Sequence, residues 1–206
     1  FINCSGSPIG LVPETQSCQA IVQAWYPGQA GGKAVADVLF GDYNPSGKLP
    51  VTFYKNVDQL PDFEDYNMTG RTYRYFQGEP LYPFGYGLSY TTFAYGDIQL
   101  PETAKVGDAV KVIVPVTNSG KMDGDEVVQL YIKKQGDEEG PIKTLRAFKR
   151  VHIPAGETVN VELELTPKQL EWWNPETNSV CNVAGSYDIL VGSNSNDLKK
   201  KAIALQ

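Results

Sequence analysis

Histidine and cysteine are scarce in this sequence: His152 is the only histidine, and the cysteines are Cys4, Cys18 and Cys181. Structural zinc sites and Ser-His-Asp triads use these residue types, so either one would depend on His152 alone. His152 lies in the predicted strand 150–153, where histidine usually takes a surface or edge position. We expect neither a metal site nor a cofactor. Three cysteines allow at most one internal disulfide, and partly buried free thiols are the simpler interpretation.

Long apolar runs and positive charge are also missing. No apolar run approaches the roughly 18 residues that are needed to cross a membrane. The formal net charge is -6, which argues against a nucleic-acid partner because phosphates would be repelled on average. Residues 1–6 have no basic start and no apolar segment, so they are not a signal peptide, and the initiator methionine is absent. We expect the chain to begin inside a larger gene product.

Three glycines near residue 30 bear a weak similarity to a nucleotide-binding loop. Gly28, Gly31 and Gly32 loosely resemble a phosphate loop, but the full G-x-G-x-x-G spacing and the Lys-Ser or Lys-Thr pair are absent. These glycines are better interpreted as a turn that allows a helix to pack closely.

The first 55 residues have the pattern of an α/β unit. A nearly continuous apolar run over 20–25 predicts a buried strand, and apolar residues at helical spacing over 30–39 predict a helix that stops at Gly41. Residues 49–53 predict a second strand, although Pro50 weakens its start. Strand, helix and strand in so short a span predict a parallel crossover.

One such unit cannot form a parallel sheet that is covered on both faces. We therefore expect residues 1–55 to be the last piece of a larger α/β sandwich domain, which would expose apolar surface if left alone.

Residues 56–92 lack periodicity but are too aromatic for a polar linker. An ordered connector that packs over neighbouring surfaces is the better interpretation. Its aromatic residues include Tyr66, Tyr73, Tyr75, Phe76, Tyr82, Phe84, Tyr86 and Tyr90.

Residues 93–206 change to the period-2 pattern of strands separated by turns. Their number and size fit one immunoglobulin-like or fibronectin type III-like β-sandwich. The predicted strands are 110–114, 127–132, 159–165, 187–191 and 202–205.

Four stretches, in order, carry a family pattern. They are AWYPGQAGG at 24–32 leading into ADVLFGD at 36–42; NPSGKLPVTF at 44–53; GRTYRYF at 70–76 with YPFGYGLSY at 82–90; and VTNSG at 116–120 with GDEVVQLY at 124–131. In order and spacing they resemble the C-terminal half of glycoside hydrolase family 3 enzymes of the β-xylosidase or β-glucosidase type. The segment DFEDYNM at 62–68 is most similar to the β-xylosidase branch.

The resemblance implies a fold and an activity. It implies a retaining exo-β-glycosidase with an N-terminal (β/α)8 barrel, an α/β sandwich domain and a fibronectin type III-like domain. The partners of this region would be that barrel and the rest of the α/β domain, with an oligosaccharide as substrate, in the periplasm or outside the cell. The catalytic Asp would lie on the barrel and the acid/base Glu upstream of residue 24. No residue here is assigned a catalytic role, and we expect the chain alone to be inactive.

Four residues are candidates for positions near the substrate: Arg71, Tyr73, Arg74 and Trp172. Arginine hydrogen-bonds hydroxyl groups, and aromatic faces stack on pyranose rings. The competing interpretation is that Arg71 and Arg74 pack on tyrosine faces as an interdomain staple. Trp172 and Trp173 are adjacent, so one would lie in the sandwich core and the other would be exposed.

Acidic clusters have simple explanations. Asp62, Glu64 and Asp65 fit a solvated loop, and residues 137–140 fit a hairpin tip, because catalytic carboxylates need a fixed separation in a pocket. Two other functions stay open: a non-catalytic carbohydrate-binding or adhesion module, and a separately encoded subunit of a split enzyme.

Overall fold

The computed structural model describes residues 1–206 and contains an α/β segment, a connector and a two-sheet sandwich. The helices are α1 (Val12–Ser17), α2 (Gly31–Phe40) and α3 (Thr72–Tyr75), with 3₁₀ turns at Val57–Gln59 and Pro167–Leu170. The strands are β1 (Ile2–Asn3), β2 (Val22–Gln23), β3 (Phe93–Tyr95), β4 (Thr103–Ala104), β5 (Val110–Asn118), β6 (Gly124–Lys134), β7 (Thr144–Ile153), β8 (Thr158–Leu165), β9 (Glu171–Asn174), β10 (Ser179–Asn182), β11 (Gly185–Gly192) and β12 (Leu198–Leu205).

The parallel crossover of the α/β segment differs from the predicted one. β2 pairs in parallel with β1, with Ile2 opposite Val22, and α1 lies between them in the chain. The prediction of a strand over 49–53 is wrong. The Phe53 N–H donates to the Tyr82 carbonyl oxygen at 2.9 Å in an isolated antiparallel bridge, so this stretch binds the connector.

Helix α2 confirms the helical spacing of the sequence. Gly41 follows its last residue with φ 84°, a left-handed conformation that favours glycine at a helix end. At the other end Gly31 is buried, and a Cβ atom there would lie 2.7 Å from the Pro27 ring. A side chain at Gly31 would therefore push the preceding turn away from the helix. The ten-residue α2 is the longest helix, and none has the length and apolarity to cross a bilayer.

Two sheets face each other in the sandwich. The strand orders are β4-β12-β11-β6-β7 and β3-β5-β8. All neighbouring strands are antiparallel except β4 and β12, which run parallel. The register of β6 on β7 shifts between Leu130 and Tyr131, which marks a bulge.

The core lies between these sheets and contains 19 buried residues. Alternation places Val110, Val112, Val114 and Val116 of β5 in it, while Lys111 of the same strand is exposed. Nonpolar burial of this extent is the main stabilising contribution to the fold. The predicted β-sandwich is confirmed.

Strand β6 is unusual because both of its faces are covered. Val128, Leu130 and Ile132 belong to the core, whereas Gln129 and Tyr131 point to the opposite face and are also buried, at 3% and 0% exposure. The connector supplies the cover on that outer face.

Leu130→Ala should lower the free energy of unfolding by about 2–5 kcal/mol, because it leaves a cavity at a fully buried position. Urea denaturation followed by tryptophan fluorescence measures the change. Val180→Ala is the control, since Val180 is 59% exposed on β10 and should change stability by about 0.5 kcal/mol or less. Equal losses for both variants would contradict the assignment of the core.

Candidate functional site

The candidate site is the contact that the α/β segment and the connector make with the sandwich, and a buried ion pair lies in it. The Lys48 ammonium group lies 3.1 Å from a Glu126 carboxylate oxygen, and their side chains are only 13% and 5% exposed. Burial raises the pKa of Glu126, while the Lys48 charge and hydrogen bond oppose that rise. The pair joins the NPSGKLP stretch to the start of β6.

The amide of Gln129 makes a second polar contact. Its Nε2 donates to the Gly85 carbonyl at 3.1 Å and to the Ser193 carbonyl at 2.6 Å, while its Oε1 accepts from the Tyr131 hydroxyl at 2.6 Å. Gly85 has φ 80°, and a Cβ atom there would overlap the Gln129 amide. The connector therefore approaches β6 closely, and glycine is required at the point of contact.

Aromatic rings pack beside this amide. Tyr73 stacks on Phe84 with centroids 4.3 Å apart, and both meet the buried Tyr131 edge to face. The Tyr73 hydroxyl accepts a hydrogen bond from the Leu145 N–H at 3.1 Å. The Tyr73 ring is thus used for contact between the connector and β6–β7.

Arg74 lies next to β7, where its carbonyl oxygen accepts from the Ile142 N–H at 2.8 Å. Its guanidinium lies 5.4 Å from the centre of the Tyr75 ring, and that of Arg146 lies 5.6 Å from the centre of a Trp172 ring. Burial, with the nearby Arg74 charge, lowers the pKa of Arg146. Arg74 and Tyr75 are neighbours in α3, and Arg146 and Trp172 both belong to the sandwich, so neither stacking contact joins the connector to the sandwich. The link from Arg74 to the sandwich is its backbone hydrogen bond.

Trp172 lies in the core of the sandwich. It is 4% exposed, packs edge to face on Tyr187, and donates from Nε1 to Asp137 at 2.6 Å. Its neighbour Trp173 is 52% exposed, as the alternation of β9 predicts. In this chain Trp172 has no open face for a sugar ring, so burial makes it a core residue.

Arg71 is separated from this group because it folds back on the loop that precedes it. It donates to the carbonyls of Asp62 at 3.0 Å, Asp65 at 2.6 Å and Asn67 at 3.2 Å. The structure thus brings Tyr73, Arg74 and Trp172 to the start of β7, and Arg71 organises a separate loop. A position near the substrate remains a prediction for all four.

Two asparagines of the site were missed by reasoning from the sequence. Asn44 accepts from the Ser89 hydroxyl and the Tyr90 N–H, both at 2.8 Å, and donates to the Asp123 carbonyl at 2.9 Å. Asn118 is fully buried and accepts from the Thr91 hydroxyl at 2.6 Å. The only feature of the sequence that could have pointed to these two asparagines is their position in the NPSG and VTNSG stretches, which are typical of turns.

An ionic cluster lies at the exposed rim of the contact. Asp125 accepts from Arg150 Nε at 2.8 Å and lies 2.7 Å from His152 Nδ1, and Arg150 also donates to the Tyr43 hydroxyl at 2.9 Å. Burial tends to raise the pKa of Asp125, but the hydrogen bonds from His152 and Arg150 outweigh it and the pKa is lowered. As predicted, His152 is an exposed residue of an edge strand.

The chemistry available in this contact is packing and hydrogen bonding. No group of three or more His, Cys, Asp or Glu side chains in the chain is placed to hold a metal ion. Cys4, Cys18 and Cys181 are free thiols. The fold and the contact together define a protein in which an α/β segment is fixed by an aromatic connector to a fibronectin type III-like sandwich.

Comparison with known sequences gives the family. Residues 1–90 match the glycosyl hydrolase family 3 C-terminal domain, and residues 126–195 match the fibronectin type III-like domain. A xylan 1,4-beta-xylosidase of Xylanibacter ruminicola is 58% identical over the whole chain, which covers 24% of that protein. A periplasmic beta-glucosidase of Salmonella typhimurium is 38% identical over 98% of the chain, which covers 28% of that protein.

Solved structures agree with the sequence comparison. A β-glucosidase from Erythrobacter marinus superposes on 100% of the chain with a TM-score of 0.87 and 39% identity, and the match covers 28% of it. A beta-D-glucoside glucohydrolase from Trichoderma reesei gives a TM-score of 0.86 at 29% identity, over 97% of the chain and 32% of that structure.

The chain belongs to glycoside hydrolase family 3, of which it carries the C-terminal region with the fibronectin type III-like domain. It spans about a quarter of the length of the curated relatives that it matches.

Glu126→Ala should lower the free energy of unfolding by about 3–5 kcal/mol, because it leaves the Lys48 charge buried without its partner. Urea denaturation measures the loss. The control is Glu79→Ala, which removes the exposed Lys55–Glu79 pair and should change stability far less, because water screens an exposed pair. A loss of the same small size at Glu126 would show that the pair does not hold the α/β segment to the sandwich.

The Asp125 cluster should give a pH-dependent stability. Because the pKa of Asp125 is lowered in the folded chain, its contribution is present above the ordinary aspartate value of about 3.9 and is lost as the pH falls through the native pKa. The difference in unfolding free energy between the parent and Asp125→Asn should shrink on acidification. Asp58→Asn, at an exposed aspartate, is the control. A difference for Asp125→Asn that is independent of pH would contradict this assignment.

Proposed function

We propose that the chain is the C-terminal region of a retaining exo-β-glycosidase that hydrolyses O-glycosidic bonds at non-reducing ends of oligosaccharides. The observation that carries this proposal is the match of the entire chain, at 58% identity, to a xylan 1,4-beta-xylosidase. A β-xyloside is therefore the first substrate to test and a β-glucoside the second, since β-glucosidases also match nearly the whole chain.

Within that enzyme we assign this region a supporting role. The Lys48–Glu126 pair, the Gln129 amide and the Tyr73 stack fix the α/β segment to a sandwich with a large core of its own. A fixed α/β segment would hold neighbouring loops of the α/β domain in place, including the one expected to carry the acid/base Glu. Positioning of this kind contributes strongly to catalysis, because small displacements of reacting groups are costly.

The partners in this proposal are the catalytic (β/α)8 barrel and the remaining α/β domain of the same enzyme, with the catalytic Asp and Glu supplied from there. A periplasmic or extracellular location is proposed with it, which fits polymer-derived substrates. The Salmonella relative is a periplasmic beta-glucosidase, which supports that location.

The purified 206-residue chain should not hydrolyse 4-nitrophenyl β-D-xyloside or β-D-glucoside, because in this proposal the catalytic carboxylates belong to other parts of the enzyme. Release of nitrophenol over many hours, at micromolar protein, is the measurement. The full-length enzyme is the positive control and should turn over the xyloside. Steady turnover by the pure chain would overturn the supporting role, and a full-length enzyme inactive on both glycosides would overturn the family activity.

A further inference from the structure

Two arginine side chains at the start of β7 have no acidic partner. Arg74 belongs to α3 and Arg146 to β7, and the Arg74 carbonyl oxygen accepts from the Ile142 N–H at 2.8 Å, just before that strand. Of the four arginines in the chain, Arg150 alone has a carboxylate oxygen within 4.0 Å. The charges of Arg74 and Arg146 are therefore not neutralised by an ion pair within these residues.

Arg146 is held in one position by its neighbours. It lies at the bulge of β7 and has no partner in the register of β6. One of its terminal nitrogens donates to the Glu171 carbonyl oxygen at 2.7 Å, and its own carbonyl oxygen accepts from the Gln169 amide at 2.6 Å. Its guanidinium lies 5.6 Å from the centre of a Trp172 ring. A side chain fixed in this way loses little conformational freedom when it binds a partner.

The Arg74 guanidinium has fewer contacts with the chain. It lies 5.4 Å from the centre of the Tyr75 ring, and the hydrogen bonds of Arg74 are made by its backbone. The Nε atoms of Arg74 and Arg146 are both buried and have no hydrogen-bond partner. Hydrogen bonding by these two groups thus depends on their terminal nitrogens, of which Arg146 uses one.

The two guanidinium groups lie close enough to repel each other. Burial, followed by the nearby Arg74 charge, lowers the pKa of Arg146, and the Glu171 charge opposes that fall. Arginine keeps its proton in proteins even so. Two like charges that are partly removed from water are unfavourable unless an anion lies beside them.

The nearest acidic residues of the chain are engaged in other contacts. The Asp137 carboxylate accepts from Trp172 Nε1 at 2.6 Å and from the Gly140 N–H at 2.9 Å. Glu171 binds Arg146 through its carbonyl oxygen, and its carboxylate forms no ion pair. The anion that neutralises the two arginines must therefore come from outside this group of residues.

A carboxylate side chain fits the two arginines best. The planar guanidinium fork matches the two oxygens of a carboxylate, and such charge-assisted hydrogen bonds are stronger than neutral ones. A nucleic acid is disfavoured by the formal net charge of -6. The chain spans about a quarter of the length of its curated relatives, so the proposed enzyme has other domains that could supply the carboxylate.

We propose that Arg74 and Arg146 form a docking point for an aspartate or glutamate side chain from the part of the enzyme outside residues 1–206. The carboxylate binds the terminal nitrogens, and its charge removes the repulsion between the two arginines. Because Arg74 belongs to the connector and Arg146 to the sandwich, one acidic side chain is held by both. This inference rests on the proposed function and extends it, since it names a contact between this region and its partner domains.

Arg74→Met tests the docking point in the full-length enzyme and in the 206-residue chain. Methionine keeps much of the apolar stem and removes the charge. The midpoint of thermal unfolding of the full-length enzyme should fall by several degrees, because the partner carboxylate is left without its counter-charge. In the 206-residue chain the midpoint should stay the same or rise, because only the repulsion of Arg146 is lost.

Lys105→Met is the matched control, since it removes an exposed cation from the sandwich domain and should leave both midpoints unchanged. An equal fall in the two proteins for Arg74→Met would show that Arg74 acts only by packing within this region, and would overturn the docking point.

A crystal structure of the full-length enzyme identifies the partner directly. An Asp or Glu carboxylate from outside residues 1–206 should lie within ion-pair distance, about 4 Å, of Arg74 or Arg146. Solvent alone at both guanidinium groups would contradict the proposal. Replacing that acid by its amide and combining the change with Arg74→Met should give losses that do not add, because both changes remove the same contact. Additive losses would also contradict it.

Sodium phosphate distinguishes a side chain from a mobile oxyanion. At equal ionic strength it should shift the unfolding midpoints of the full-length parent and of Arg74→Met by the same amount. A larger rise for the parent would show that a free anion binds there and would overturn the docking point. Activity is measured separately: an enzyme that has the contact but hydrolyses neither aryl glycoside overturns the proposed function alone, and an active enzyme without the contact overturns the docking point alone.

Discussion

The buried amide of Gln129 imposes the main constraint on this structure. It lies on the outer face of β6, where its polar atoms would carry a desolvation cost without partners. The Gly85 and Ser193 carbonyls and the Tyr131 hydroxyl satisfy it. Gly85 belongs to the connector. The Gln129 amide therefore has all of its hydrogen-bond partners, and the outer face of β6 is shielded from water, only when the connector is docked. The α/β segment therefore acquires a fixed relation to the sandwich.

The connector compensates for its lack of regular structure through contacts with its neighbours. Its backbone pairs with 49–53 on one side, where Leu49 N–H donates to Tyr86, and with the sandwich on the other, where Ser195 N–H donates to Phe84. Buried backbone groups need such partners. The same contacts position the candidate residues: Tyr73 faces β6 and β7, and the backbone of Arg74 bonds to residue 142 just before β7. Arg71 lies outside this contact and orders the loop that precedes it through hydrogen bonds to three of its carbonyl oxygens.

Periodicity in the sequence predicted the sandwich well, because β5 and β8 alternate between more buried and more exposed positions over eight or more residues. It also predicted α2. It failed for β1, since a two-residue strand is shorter than any repeating pattern, and for 49–53, where Pro50 lacks a donor and the partner is an antiparallel connector. The contacts of Asn44, Gln129 and Glu126 join residues more than 40 positions apart, and no local pattern encodes them.

Strand β7 closes one border of the five-stranded sheet, and its outer backbone is a potential template for another extended chain. Consecutive exposed cations, Lys149 and Arg150, lie along that border. Two copies of the domain approaching edge to edge would bring like charges together before hydrogen bonds could form. The sandwich therefore carries built-in protection against strand-by-strand aggregation.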